Sequence, residues 1–433
     1  MTRIALLLLL LMFTAVAGAR PPRETVDAVA IQIEDYYWNA ERGAEIAATL
    51  RNEAAAGRYD AHTAAVDLAT ALTARLQPLD RHFHVRWAPP GSGPALPPPP
   101  GAGPPPGPPP GEDEDEEAFW HGLRSAQVLP GNIGYLDMGE FAHIDFEDPN
   151  DPARAAIDAA LTFVQWTDAV VIDLRDNGGG SPAMVGYLSS AFTRPGSDIF
   201  NTFVMRERRL SEAPEVWHPA PRLDVPLYVL TSGRTGSAAE AFAYTVANAG
   251  RATVVGERSV GAANPGRPFD AGEGFSVFVS TGSPINPVTG SNWEGDGVIP
   301  AIEVPARDAL QVAQVHALEA YVSRRGADTP MGYRWVLEAL KAPRESTGAG
   351  ELAAYVGEYG QIRVALENGN LMMYDRRRPA RTLRALGNGV FFDVENPLRR
   401  VAFEREGGQV VALEVRFSEG GRSRYPRGVQ DKG

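Results

Sequence analysis

The sequence predicts an α/β core preceded by a small helical subdomain and followed by an antiparallel β domain that forms a small barrel. Three observations carry this prediction. From Phe119 to about Val304, apolar strand-like runs alternate with helical stretches, the pattern of strands joined by crossovers. From Thr25 to Leu79, apolar residues recur at helical spacing. Beyond Glu351 the pattern changes to short strands broken at Asn368-Gly369-Asn370, Gly387-Asn388-Gly389 and Gly407-Gly408, which are hairpin signals.

Taken in order, residues 1–19 read as a cleavable secretory signal. Arg3 supplies the positive end, Ile4 to Val16 the apolar region, and Ala17-Gly18-Ala19 the small-residue cleavage site. The apolar run is short of a full span, so a membrane anchor is disfavoured, and no later segment is long and apolar enough to cross a bilayer. A secreted or periplasmic location follows as the expectation. Residues 20–88 form the helical subdomain, with Val26, Val29, Ile31, Ile33, Tyr36 and Tyr37, then Ile46 and Leu50, then Val66, Leu68, Leu72 and Leu76, ending in a strand from Phe83 to Trp87. Residues 89–117 are proline, glycine and then acidic side chains, which bury too little to offset the entropy of packing, so a disordered excursion is expected. The core, 118–328, carries strands at Ile133 to Met138, Ala169 to Leu174, Leu227 to Leu230 and Ala252 to Val255. Helices fall at Pro152 to Trp166, Pro182 to Thr193, after Ser237, and at Asp308 to Arg324. Residues 345–430 form the C-terminal β domain.

Composition narrows the chemistry. The chain has no cysteine, which excludes disulfides, thiol catalysis and thiolate metal sites. A net charge of −13 argues against nucleic acid and anionic membranes as partners. The chain's lysines are Lys341 and Lys432, both outside the predicted core.

Leu227 to Glu240 is the most informative stretch. A buried strand runs into a turn at Gly233 and Gly236, and a helix then opens at Ser237, where free N–H groups and the helix dipole favour a developing oxyanion. Ser237 with Glu240 three residues on is also a capping box, which needs no catalysis. A second glycine turn, Asp173-Leu174-Arg175-Asp176-Asn177-Gly178-Gly179-Gly180, follows another apolar strand, and two such strand ends side by side make a site. Glycine two positions either side of the serine is absent, as Thr235 and Ala239 show, so an α/β-hydrolase elbow is disfavoured. Gly178 to Pro182 lacks the lysine of a phosphate-binding loop.

Together with Arg251 to Glu257, these two segments resemble, in order and separation, the serine peptidases that include tail-specific (C-terminal processing) proteases, the tricorn protease core and the interphotoreceptor retinoid-binding protein. The resemblance covers roughly Leu79 to Val304. It implies a ClpP/crotonase-like ββα-spiral core, Ser237 as nucleophile, and an oxyanion hole from the N–H of Ala238 and one N–H of Gly179 or Gly180. The tail-specific branch places a catalytic lysine where this chain has Ala262, so the resemblance favours the tricorn and retinoid-binding branch. In that branch the Asp-x-His segment is similar to Asp80-Arg81-His82 and makes His82 the general base, while the segment similar to Trp293-Glu294-Gly295 makes Glu294 the orienting carboxylate. His84, two residues beyond His82, raises a competing metal pair, but no third ligand is suitably spaced. His62, His121, His143, His218 and His316 read as surface or packing residues. The expectation is a peptidase acting on peptides or proteins with no metal or organic cofactor. The alternative is a non-catalytic protein that binds a hydrophobic ligand or peptide on the same fold.

Overall fold

The computed structural model describes residues 21–89, 120–343, 349–375 and 378–428. The expected signal segment and the proline-rich and acidic excursion beyond Pro89 lie outside the described residues. The chain divides into two units.

The first unit is built on three amphipathic helices. Helix α1 (Pro22–Tyr36) starts with proline at its first position and buries Val26, Val29, Ala30 and Ile33, one continuous helical stripe. Asn39 caps α2 (Ala40–Ala55) by accepting from the Arg42 N–H at 3.0 Å, and α3 (Ala65–Leu76) buries Leu68, Leu72 and Leu76. These stripes share one core with an antiparallel sheet of β1 (His84–Trp87), β10 (Phe275–Ser280) and β9 (Gly266–Gly272), through Val85, Val277 and Phe269. A second small sheet joins β5 (Thr202–Met205) to β6 (Arg209–Ser211) and β11 (Gly282–Ile285). Arg206, in the β5–β6 turn, donates to the Tyr37 carbonyl at 2.9 Å and to the Glu34 carbonyl, satisfying the open end of α1. Residues 202–211 and 262–285 thus fold with the helices, whereas the sequence places them in the core. Their partners lie far away along the chain, and local periodicity carries no record of such pairings.

The second unit holds a six-stranded sheet in the order β12-β8-β7-β4-β3-β2. Its strands are β2 (Leu123–Leu129), β3 (Ile133–Met138), β4 (Ala169–Asp173), β7 (Leu227–Thr231), β8 (Ala252–Gly256) and β12 (Ile302–Glu303). All are parallel except the edge strand β2. Every residue of β4 and β7 is buried, as befits a parallel sheet covered on both faces. The connecting helices are α4 (Pro152–Phe163), capped by Asp151, α5 (Pro182–Ser190), capped by Ser181, and α6 (Ala238–Asn248). Helix α7 (Ala306–Arg325) lays Ala309, Ala313 and Leu318 on Val171, Leu230 and Val255, with Val336 of α8 (Met331–Lys341) in the same cluster. This is the α/β core the sequence predicts. Because Asp173 pairs with Leu230, the loops leaving β4 and β7 emerge side by side.

The same unit ends in an antiparallel meander of eight strands: β13 (Gly357–Tyr359), β14 (Ile362–Glu367), β15 (Asn370–Asp375), β16 (Arg381–Gly387), β17 (Val390–Asp393), β18 (Asn396–Glu406), β19 (Gln409–Phe417) and β20 (Arg422–Pro426). A bridge between Tyr359 and Arg427 nearly closes it into a barrel around Leu371, Leu383, Phe391, Phe403 and Leu413. Asn368-Gly369 and Asn388-Gly389 both take positive φ at each position, the backbone of a two-residue hairpin turn.

A buried polar cluster ties the points where the chain leaves and re-enters this unit. Asn201 donates from Nδ2 to Glu212 Oε2 at 2.6 Å and to Thr245 Oγ1 at 3.1 Å, and its Oδ1 accepts from Asn286 Nδ2 at 2.9 Å. Glu212 Oε1 has no partner among the described residues, and burial pushes this carboxyl up to about 8 against its one bond from Asn201. The folded chain therefore holds a proton that the unfolded chain releases near the ordinary glutamate value, and stability falls as pH rises from there to about 8. Glu212→Gln is expected to remove this slope and to raise the melting temperature at pH 8 while changing it little at pH 4.5; thermal unfolding of both proteins across that range checks it.

Candidate active site

Strand β7 delivers the chain into the turn that carries Ser237. Thr235 fixes this turn twice: its Oγ1 accepts from the Ser232 N–H at 2.9 Å and donates to the Leu174 carbonyl at 2.7 Å. The Gly236 N–H donates to the Asn177 carbonyl at 3.0 Å, joining the turn to the neighbouring glycine loop. Ser237 itself is exposed and sits at φ 52°, ψ −120°, a region that a residue with a Cβ enters only when its surroundings hold it there. The cost is on the order of 1–3 kcal/mol.

Glu240 holds it. This carboxylate, one turn into α6 and fully buried, accepts from the Ser237 N–H at 2.8 Å on Oε2. Its Oε1 accepts from Ser259 Oγ and from the Gly261 N–H, each at 2.6 Å. The sequence reads Glu240 only as half of a capping box. The structure adds two donors from a loop twenty residues downstream, and that loop is tied onward: the Gly295 N–H donates to the Gly261 carbonyl at 2.9 Å, and the Val298 N–H to Ser259 Oγ at 2.7 Å. Glu294 lies in this second loop, half-buried, with its N–H on Asn292 Oδ1 at 2.8 Å and the buried Trp293 ring against Tyr244 of α6.

The glycine loop after β4 closes on the serine from the other side. A Cβ on Gly179 would stand 2.6 Å from Ser237 Cβ and 3.1 Å from the Ala238 nitrogen, so only glycine allows this approach. Asn177, fully buried, donates to the Met138 carbonyl at 3.0 Å and accepts the Gly179 N–H at 2.9 Å. The Gly179 N–H is thereby engaged. The N–H groups of Gly180 and Ala238 have no hydrogen-bond partner among the described residues.

His82 belongs to the first unit and stands in the turn before β1 rather than within a strand. Asp80, buried, accepts on one oxygen from the His82 N–H at 2.9 Å and faces the ring Nδ1 at 3.2 Å, while Tyr37 Oη donates to its other oxygen at 3.2 Å. Burial pushes the Asp80 carboxyl up, but the bonds from the His82 ring and backbone outweigh it and hold the group below the usual range. An ionised Asp80 fixes the tautomer with the proton on Nδ1 and leaves Nε2 as the acceptor. The ring stacks on Phe278 at 6.1 Å. His84 opens β1 as an exposed residue and joins no cluster of three or more metal-ligating side chains among the described residues.

The structure therefore assembles Ser237, Ala238, Gly179 and Gly180 around one turn, couples Glu294's loop to it through Glu240, and gives His82 a carboxylate partner in the other unit. Sequence reasoning passed over Asp80, Asn177, Glu240 and Ser259 as parts of the site. Asp80 had a visible signal two residues before His82; Ser259 had none.

Residues 132–304 match the family model for Peptidase family S41. Over 240 residues the chain is 25% identical to a carboxy-terminal-processing protease of Bartonella bacilliformis, covering 53% of this chain and 49% of the relative. Over 183 residues it is 26% identical to the chloroplastic carboxyl-terminal-processing peptidase 1 of Arabidopsis thaliana, covering 42% and 35%. The match thus spans about half the length of the first relative and a third of the second. Among solved structures, a putative peptidase from Parabacteroides merdae aligns over 72% of this chain and 98% of its own, with 16% identity and a TM-score of 0.47.

Breaking the Glu240 hub is expected to release Ser237 without unfolding the core. If Ser237 acts as a nucleophile, Glu240→Ala should lower kcat by roughly 10²-fold or more, whereas Glu240→Gln, which keeps an oxygen acceptor, should retain more of it. Steady-state kinetics with circular dichroism as the folding control decide this.

Proposed function

We propose that this chain is a serine peptidase of secreted or periplasmic setting that hydrolyses peptide bonds of peptide or protein substrates through an acyl-enzyme on Ser237. The observation that carries the reading is the strained Ser237 backbone set beside two amides without partners among the described residues, those of Ala238 and Gly180. Strain of this kind is kept where it is used.

In the proposed reaction Ser237 Oγ attacks the scissile carbonyl and passes its proton to His82 Nε2, and the tetrahedral oxyanion is held by the Ala238 and Gly180 N–H groups. His82 then returns the proton to the leaving amine, leaving an ester on Ser237. Water, deprotonated by His82, hydrolyses that ester and regenerates the serine. Gly180 is preferred over Gly179 as the second donor because the Gly179 N–H already serves Asn177. Asp80 orients the imidazole and stabilises its charged form, which makes it the direct partner of His82; Glu294 orients the active-site groups from its loop. A lysine base is disfavoured, since Ala262 stands at the position the tail-specific branch gives to lysine and Lys341 on α8 is paired with Glu319 at 2.6 Å.

Ser237→Ala is expected to abolish turnover and labelling by a fluorophosphonate while leaving the fold intact. Undiminished hydrolysis by that variant would remove the peptidase assignment, and a wild-type chain that neither labels nor cleaves would favour the binding-protein alternative. His82→Ala should cost on the order of 10²–10⁴-fold in acylation rate, and Asp80→Asn a similar factor by presenting the wrong tautomer. His84→Ala should cost little. Because Asp80 is held below the usual carboxylate range, its contribution is present throughout the neutral range and is lost only in acid. Pre-steady-state acylation rates measured across pH test all three variants.

A further inference from the structure

We propose that one end of the C-terminal barrel is a binding site for a small carboxylate carried on an apolar stem. Inside the barrel, strand alternation sets which side chains point inward. Leu383, Phe391 and Val401 face the core, and Arg381, Asp393 and Arg399 share their parity on β16, β17 and β18 at one end. The interior thus changes there from apolar to charged.

Asp393 is fully buried and fully used. Its Oδ2 accepts from Arg381 Nη1 at 2.8 Å and Arg399 Nη1 at 2.9 Å, and its Oδ1 accepts from the N–H groups of Glu395 and Asn396 at 3.1 and 3.2 Å. One carboxylate therefore serves two inward guanidinium groups. The Arg399 side chain is 8% exposed, and its Nε is buried with no partner among the described residues. A third arginine, Arg378, stands at the same end, 3.8 Å from Asp375. Among the described residues three arginines face two carboxylates here, Asp375 and Asp393, so one positive charge is left over. Burial, then Arg381 beside it, pull the Arg399 guanidinium below its usual range, as expected where positive charge is short of a counter-ion.

A cavity of about 170 Å³ opens on these groups, lined by Arg378, Arg381 and Arg399 with Asp375 beside Arg378, and walled by apolar side chains such as Met373 and Phe417. A cavity near 150 Å³ admits a benzene-sized molecule, and an eight-stranded barrel has room for one small ligand. Arginine donors at one end and an apolar wall beside them fit a carboxylate on a short hydrocarbon or aromatic stem, either a free acid or the terminus of a peptide chain.

The test uses the full chain and titration calorimetry with benzoate. Expected are saturable binding of one benzoate per chain, no binding of benzamide, and unchanged affinity in Ser237→Ala, which separates this site from the proposed peptidase site. Arg381→Gln, which removes the surplus charge and leaves the Arg399–Asp393 pair, should weaken binding by about tenfold or more. Arg399→Met should abolish it; if that variant melts early, Arg381→Gln decides. Displacement of benzoate by a short peptide with a free C-terminus and not by its amide supports a chain terminus as the occupant, while displacement by hexanoate alone supports a free acid. Absence of benzoate binding, equal binding of benzamide, unchanged affinity in Arg381→Gln, or loss of binding in Ser237→Ala would each overturn the proposal.

Discussion

The Glu240 carboxylate is the constraint on which the serine-bearing unit depends. It has no exposure, so its burial is tolerable because donors meet it, among them the Ser237 N–H, the Ser259 hydroxyl and the Gly261 N–H. Those donors come from two separate chain segments, and satisfying one carboxylate pins both. Ser237 is thereby kept in a backbone conformation it would otherwise leave. The downstream loop, through Gly261 and Ser259, carries the same constraint to Gly295 and Val298 and so to the segment bearing Glu294.

Asp80 solves a related problem in the other unit. It meets the backbone N–H and the ring of the same histidine, so the turn and the imidazole are fixed by one group. Comparison with Glu212 shows what decides the protonation of a buried carboxyl here. Asp80 has several donors and is held below its usual range despite burial, whereas Glu212 has one donor and is pushed up to about 8. Donors win at Asp80, and burial wins at the more deeply buried Glu212. Asp393 is a third arrangement, with enough donors but two cations for one charge, and its excess is positive.

The parallel sheet supplies the geometry on which the serine turn rests. Pairing of Asp173 with Leu230 brings the exits of β4 and β7 together, and Thr235, Asn177 and Gly236 lock the two loops to each other by hydrogen bonds rather than by packing. Gly179 then approaches Ser237 more closely than any side chain would allow. Among the described residues the Gly180 and Ala238 amides have no partner, while their neighbours are engaged, the Gly179 N–H by Asn177 Oδ1 and the Gly236 N–H by the Asn177 carbonyl.

Much of this was legible in the residues themselves. Strands β3, β4, β7 and β8, the helix after Ser237, and most of the C-terminal hairpins follow from apolar runs, glycine turns and caps, which are local signals. Ser237 and the glycine loop stood out for the same reason. Strands β16 and β20 did not, because their arginines break the apolar alternation, and β5, β10 and β11 owe their places to partners distant in the chain, with β6 and β9 added to them by local hairpins. Glu240 read as a cap since its nearest partner is three residues away; its other two donors arrive only when the chain folds. Sequence alone determined which groups could do chemistry and where the backbone could turn. Tertiary structure decided which carboxylate holds which donor, because hydrogen-bond partners of buried charges are chosen by three-dimensional proximity and not by spacing along the chain.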